Sequence, residues 1–198
     1  MTTKTRTEKM EETRAKLISS ARKAFAEQGF AAASMDVLTA QAGLTRGALY
    51  HNFGDKKGLL AAVISDLDRE MVNRASAAVA QRKPSSAWEK LVEEGVAYME
   101  LALDPEIQRI VLLDGPAYLG DPSQWPSQNE CLHSTVMQLQ ILISEGIVKS
   151  LDPEIMARLI NGAALSAALW VASSASPQST LPKAISGFRA LMSGFLAS

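Results

Sequence analysis

Ser34-Met35-Asp36-Val37-Leu38-Thr39-Ala40-Gln41-Ala42-Gly43-Leu44-Thr45-Arg46-Gly47-Ala48-Leu49-Tyr50-His51-Asn52-Phe53 is the stretch on which the fold turns. Ser34 stands where an N-cap belongs, before a short helix carrying Met35, Leu38 and Ala42. Gly43 closes that helix, because glycine takes the positive φ that other residues resist. Thr45 caps a second short helix with Leu49 and Phe53 turned inward. Two short helices meeting at the tight turn Ala42-Gly43-Leu44-Thr45 describe a helix-turn-helix, whose second helix can enter the major groove of DNA. Groove entry needs slim residues at the leading edge, supplied by Gly47 and Ala48, and a donor for bases. Arg46 can pair bidentately with guanine O6 and N7. Tyr50, His51 and Lys56 are placed to meet phosphates, Lys56 near a helix start whose amides also face the anion. Glycine-turned helix pairs also occur in all-α proteins without any DNA role, and Tyr50 and Phe53 are apolar enough for a core. Phe53 is expected inside, with Tyr50 amphipathic.

Outward from this stretch, nearly every long segment reads as helix and none shows sustained strand alternation. From about Glu8 to Gln28, Leu17, Ile18, Ala21 and Phe25 form one stripe, and Gly29 is placed to end that helix. Asp55 begins a long helix with Leu59, Leu60, Val63, Ile64, Leu67 and Met71 on one face, lasting to about Gln81 before Pro84. A further helix holds Trp88, Leu91, Val92, Val96, Met99 and Leu103, and Asp104-Pro105 restarts a shorter one. Between Asp114 and Ser127, two glycines and three prolines predict a loop. Helices resume over about 128–145, 153–173 and 181–196. The expectation is an all-α chain of about nine helices: a three-helix unit over residues 1–54 and a larger helical unit over residues 55–198.

Composition narrows the class. The chain has 198 residues, 47% of them hydrophobic and 21% charged, which excludes disordered and fibrous classes. The longest apolar stretch, Ala163 to Ala172, is interrupted by Ser166 and too short for a bilayer, and the N-terminus has no apolar signal region. A cytoplasmic location without membrane attachment is expected. Cys131 is the one cysteine, so no intrachain disulfide can form. Residues 1–60 hold ten Lys or Arg against six acids, net +4, while the remaining 138 residues hold ten bases and fifteen acids, net −5. The split suggests a basic functional end on an acidic body.

The run GLTRGALYHNFGDKKGLL (residues 43–60), together with Ala24-Phe25, Gly29-Phe30 and Ser34-Met35, resembles the tetracycline-repressor (TetR) family of bacterial transcriptional regulators over roughly residues 12–65. The resemblance implies a three-helix DNA-binding domain, a larger ligand-binding and dimerisation domain, and repression relieved by a small molecule. It also implies that Ser34 and Thr45 are capping hydroxyls near phosphates, that Arg46, Gly47 and Ala48 face bases, and that Tyr50, His51 and Lys56 contact the backbone. Asn52, Lys57 and Gly58 depart from the family pattern. Gly58 is expected to loosen the first turn of the long helix by about 1 kcal/mol relative to Ala.

The C-terminal half carries no motif that names a ligand. Its last two predicted helices present Gly162, Ala163, Ala164, Ala167 and Ala168, and Ile185, Phe188, Leu191, Met192 and Phe195. These faces suit a homodimer that spans two half-sites of a palindromic double-stranded operator; packing within their own domain is the competing reading. Trp88, Tyr98, Met99, Ile110, Tyr118, Trp125, His133, Met137 and Trp170 are candidate linings for a small hydrophobic or aromatic effector, with Arg109 and Asp114 as candidate polar anchors. Ordinary core packing competes for each. No catalytic residue, metal site or cofactor is expected, since His133 and Ser134 are adjacent on a helix and diverge. A helical adaptor that binds protein through the same surface is the alternative, marked by an apolar rather than basic face from Thr45 to Asn52.

Overall fold

The computed structural model describes residues 5–197; Lys4, counted among the bases of the first sixty residues, lies outside them. In chain order the helices are α1 (Arg6–Ala32), α2 (Met35–Gln41), α3 (Arg46–Phe53), α4 (Lys56–Arg82), α5 (Ala87–Glu100), α6 (Pro105–Ile107), α7 (Gly115–Leu119), α8 (Pro126–Ser144), α9 (Pro153–Ser173) and α10 (Pro177–Ser193). Short 3-10 turns occupy Leu101–Leu103 and Pro122–Gln124, and Gln108–Asp114 is wound as π-helix. Among the described residues there is no strand, only an isolated antiparallel bridge between Val148 and Leu196. The expected loop after Asp114 instead contains α7, a 3-10 turn and the start of α8. Its prolines sit at first-turn positions, where their missing N–H costs nothing.

Two units emerge, Met1–Leu67 with Arg109–Gly120, and Asp68–Gln108 with Asp121–Ser198. The expected division at residue 54 therefore moves. The first twelve residues of α4 belong with the helix-turn-helix, and so does a segment more than forty residues further along the chain. No local pattern announces such a long-range recruitment.

In the first unit, Thr5 and Glu8 close a reciprocal capping box on α1. Leu17, Ala21 and Phe25 of α1, Leu38 of α2, Leu49 of α3 and Leu59, Leu60 and Val63 of α4 are buried and supply the core. Gly29 interrupts α1 with φ 78°, so the last turn, through Ala32, runs on from a kink. The Phe30 N–H, freed from the helix by that kink, donates to the buried carboxylate Oδ2 of Asp114 at 2.7 Å. Arg109 pairs with the same oxygen at 3.2 Å. Its guanidinium lies where a Cβ on Gly29 would stand, 1.8 Å from Nη2, so the kink needs glycine twice over. Phe30 stacks against Tyr118 of α7, with ring centroids 4.4 Å apart.

The second unit is organised around α9, which packs on α5, α8 and α10. With 21 residues and a mean hydropathy of 1.5 over its most apolar window, α9 is long and apolar enough to cross a bilayer by length and composition. It carries Glu154 and Arg158, paired at 2.8 Å, and buries Met156, Ile160, Ala164, Ala168 and Val171, as a core helix does. Phe188 of α10 packs so closely on Gly95 of α5 that a Cβ there would sit 2.5 Å from the ring. The buried Glu93 is held from two sides by Arg82, at 2.7 Å, and Arg189. Pairing of both oxygens offsets the cost of keeping that carboxylate dry.

Candidate nucleic-acid interface

The outward face of α3 begins at Thr45. Its backbone is extended (φ −98°, ψ 157°), and its hydroxyl accepts the Ala48 N–H at 3.2 Å, which fixes the start of the helix. Leu49 is fully buried against the unit, while Arg46, Gly47, Tyr50 and His51 are exposed and Ala48 is partly so. Gly47 has open space around its Cα apart from the Thr45 hydroxyl at 3.7 Å, so nothing bulky stands at the leading edge. Asn52 turns back and donates to the Ala48 carbonyl at 2.7 Å. Phe53 is half-buried beneath the Arg14 guanidinium, 4.6 Å from its ring centroid, and the same arginine donates to the Asn52 carbonyl at 3.3 Å. These contacts lock α3 to α1 and leave its polar face free.

Three predicted residues behave differently from the sequence expectation. Ser34 holds the N-cap position of α2, but its side chain makes no cap hydrogen bond and is exposed. Arg46 is exposed yet tethered, its Nε 3.2 Å from Asp36 Oδ1. Lys56 is not a free cation: its ammonium donates to the Ala31 carbonyl at 3.2 Å and sits over the Phe30 ring at 4.7 Å. Partial burial there lowers its pKa from the ordinary lysine value. Lys57, next to it and exposed, is a cation to which the sequence assigns no particular contact. Gly58 overturns its expectation. A Cβ there would lie 1.9 Å from the Phe53 carbonyl oxygen, so this glycine permits a close backbone approach, while its N–H donates to Asp55 Oδ1 at 2.7 Å and caps α4.

The residues predicted to line an effector site are divided between the two units. Met99 is fully buried in the second unit and Trp88 and Tyr98 are partly exposed, whereas Ile110 and Tyr118 belong to the first unit. His133 and Met137 are exposed on α8, and Trp170 is exposed on α9. Arg109 and Asp114 hold the Phe30 turn, as described above. An open groove of about 420 Å³ runs between α9 and α10, lined by Ala163, Ser166, Trp170, Lys183, Gly187 and Leu191 among others. Ile155, Leu159, Ala163, Ser166 and Trp170 recur at helical spacing along that side of α9, and Ile155, Leu159 and Trp170 are more than half exposed. Of the residues assigned to this face from sequence, Ala164, Ala168, Phe188 and Met192 point instead into their own unit. Helices apolar on two sides do not reveal in sequence which side goes inward.

Two family models match, one described as "Bacterial regulatory proteins, tetR family" over residues 17–63 and one as "Tetracyclin repressor-like, C-terminal domain" over residues 88–195. A TetR-family transcriptional regulator of Pectobacterium atrosepticum, known from its crystal structure, is 46% identical, with a TM-score of 0.86 and coverage of 98% of this chain and 99% of that one. Among curated proteins, the HTH-type transcriptional regulator TtgR of Pseudomonas putida is 33% identical over 105 residues, 52% of this chain and 49% of its own. The HTH-type transcriptional repressor AcnR of Corynebacterium efficiens is 31% identical over 101 residues, 51% of this chain and 52% of its own. The match thus spans about half the length of these curated relatives.

Proposed function

Since the chain belongs to the tetracycline-repressor family, we propose that it is a ligand-responsive, homodimeric transcriptional repressor that binds a palindromic operator in the cytoplasm. The observation that carries this reading is the exposed leading face of α3, with Arg46 beside Gly47 and flanked by Tyr50 and His51. Arg46 exchanges its Asp36 partner for a base edge in the major groove, and the exchange is cheap because an exposed ion pair contributes only about 0–1 kcal/mol. Tyr50, His51 and Lys57 reach phosphates. Lys56 acts mainly by holding the start of α4 against the end of α1, and lends its charge to the same edge. The adaptor alternative would need an apolar face from Thr45 to Asn52, and of the exposed residues there only the amphipathic Tyr50 is large and apolar.

One such face binds weakly, and a twofold pair with groove helices about 34–36 Å apart reads two half-sites. The apolar stripe of α9, continued by Leu191 of α10, is the surface assigned to that pairing. Control by an effector runs through α4, which contributes residues to both units. An effector bound about 100-fold better by the released form shifts the equilibrium by about 2.7 kcal/mol, enough to vacate a moderately tight operator. Selection of bound fragments from random DNA, followed by footprinting, tests the reading. A palindrome protected over two successive major grooves is expected. Equal binding to every duplex, or recovery of a single unpaired half-site, would overturn it.

A further inference from the structure

The second unit encloses polar groups that its own chain leaves unanswered. Ser127 Oγ and Trp125 Nε1 are shut off from solvent without a hydrogen-bond partner, in the segment that enters α8. Ser127 lies beside Asp68 of α4, a largely buried carboxyl, without closing a hydrogen bond by strict geometry. The hydroxyl of Tyr98 on α5 lies within electrostatic reach of both Asp68 and the Cys131 thiol of α8. Burial raises the Asp68 carboxyl above its usual range, with Ser127 opposing, and no cation contributes to its titration. Burial first, then the Asp68 and Cys131 charges, push the Tyr98 hydroxyl up. Cys131 is an exposed residue, and partial desolvation of its thiol, with the Glu94 charge, raises its pKa as well. No Lys, Arg or His among the described residues forms an ion pair with Asp68, which is half-buried, whereas the buried Glu93 of the same unit has two arginines.

Such a site is unstable as built. A buried carboxylate without a cation and an indole N–H without an acceptor each cost free energy. A ligand that brings both missing partners recovers that cost on binding. We propose that Asp68, Tyr98, Trp125 and Ser127 anchor a small-molecule site for an organic cation that also carries a hydrogen-bond acceptor. This deepens the effector-controlled reading above and rests on it. The ammonium meets the Asp68 carboxylate, with Ser127 and Tyr98 beside it, and the acceptor takes the Trp125 N–H. The aromatic rings of Tyr98 and Trp125 favour a cation further. A purely hydrophobic effector would leave all of these groups unpaired.

Three matched probes test the site: 4-methoxyphenethylamine as cation, 4-methylanisole as neutral form and 4-methoxyphenylacetate as anion. Binding is followed by calorimetry and by the Trp125 indole N–H resonance, assigned through its loss in Trp125→Phe. The cation is expected to shift that resonance and to bind about tenfold tighter than the other two, the scale of one charge-assisted hydrogen bond. Asp68→Asn should abolish this preference and raise the melting temperature of the ligand-free protein, because an unpaired charge is removed. Ser127→Ala should weaken the cation about fivefold, and it serves as the test if Asp68→Asn fails to fold. Equal response to all three probes, no response to any, or a cation preference that survives both substitutions would overturn the proposal. Mobility shifts on selected operator DNA separate the two readings. Operator binding that the cation does not relieve counts against this site alone, and failure to bind any duplex counts against the regulator alone.

Discussion

Arg46 and Lys56 look alike in sequence, two cations flanking one helix, and the structure gives them different work. Arg46 projects from the first turn of α3 with only Asp36 to release, so Arg46→Ala should cost about 1–3 kcal/mol at the selected operator and relax its base preference. Asp36→Asn should leave that preference intact and strengthen binding slightly, since it frees the guanidinium and removes an anion from the DNA-facing edge. Competition gel shifts with operator and mutated operator read both effects. Lys56 is tied to the Ala31 carbonyl and the Phe30 ring, so Lys56→Ala should weaken every sequence alike and lower the salt slope by roughly one unit or less. A full unit would mean that the lysine abandons Ala31 for a phosphate on binding; a loss of base preference would contradict its assignment outright. The Thr45 cap and the outward Arg46 were legible because each follows from the helix start a few residues away. The anchoring of Lys56 was not, because its partners lie 25 and 26 positions back along the chain, in the last turn of α1 that follows its kink at Gly29.

At the scale of single elements, local propensity gives the wrong sign for the start of α4. Helix propensity alone predicts that Gly58→Ala stabilises by about 1 kcal/mol, but the Phe53 carbonyl oxygen occupies the space a Cβ would need. The substitution should therefore lower the melting temperature; a rise would show that the α3–α4 turn relaxes at no cost. Sequence spacing located both ends of that turn and could not measure its tightness, since the approach depends on how Gly54, at φ 76°, folds the chain back. Further along, Asp104 caps α6 through the Glu106 and Ile107 amides at 2.9 and 3.4 Å and meets Arg74 at 2.8 Å. Burial alone would raise its carboxyl; the hydrogen bonds from Arg74 and the two amides outweigh it and hold the pKa below the ordinary value. A depressed folded-state pKa contributes stability that is present above the unfolded value, near about 3.9, and is lost as pH falls through the folded one. Asp104→Asn should keep most of the cap yet flatten the acid limb of a stability–pH curve below about pH 4. An unchanged limb would place acid sensitivity elsewhere.

For the whole molecule, the basic first sixty residues and the acidic remainder make sense only if two copies work together, because one head with net charge +4 gives electrostatic attraction without a long enough reading frame. The sequence showed that α9 and α10 are apolar on more than one side, but which side faces outward depends on how α5 and α8 cover them, a long-range outcome. The structure leaves Ile155, Leu159 and Trp170 along α9, and Leu191 on α10, between 47% and 60% exposed. Leu159→Glu tests the pairing because the position is already in water in the single chain, so folding should change by no more than about 0.5 kcal/mol. In a dimer the same carboxylate is desolvated opposite its symmetry mate, a like-charge contact that costs several kcal/mol by the usual measure of interfacial charge. Sedimentation should show a monomer with an unchanged helical spectrum. Operator affinity should fall roughly a hundredfold or more, since the second half-site no longer binds as an intramolecular event. Val72→Glu, at an exposed apolar position on α4 rather than on this face, should leave both properties as they were. If Leu159→Glu stays dimeric, the interface lies elsewhere; if it becomes monomeric with affinity unchanged, the operator is read by one head at a time.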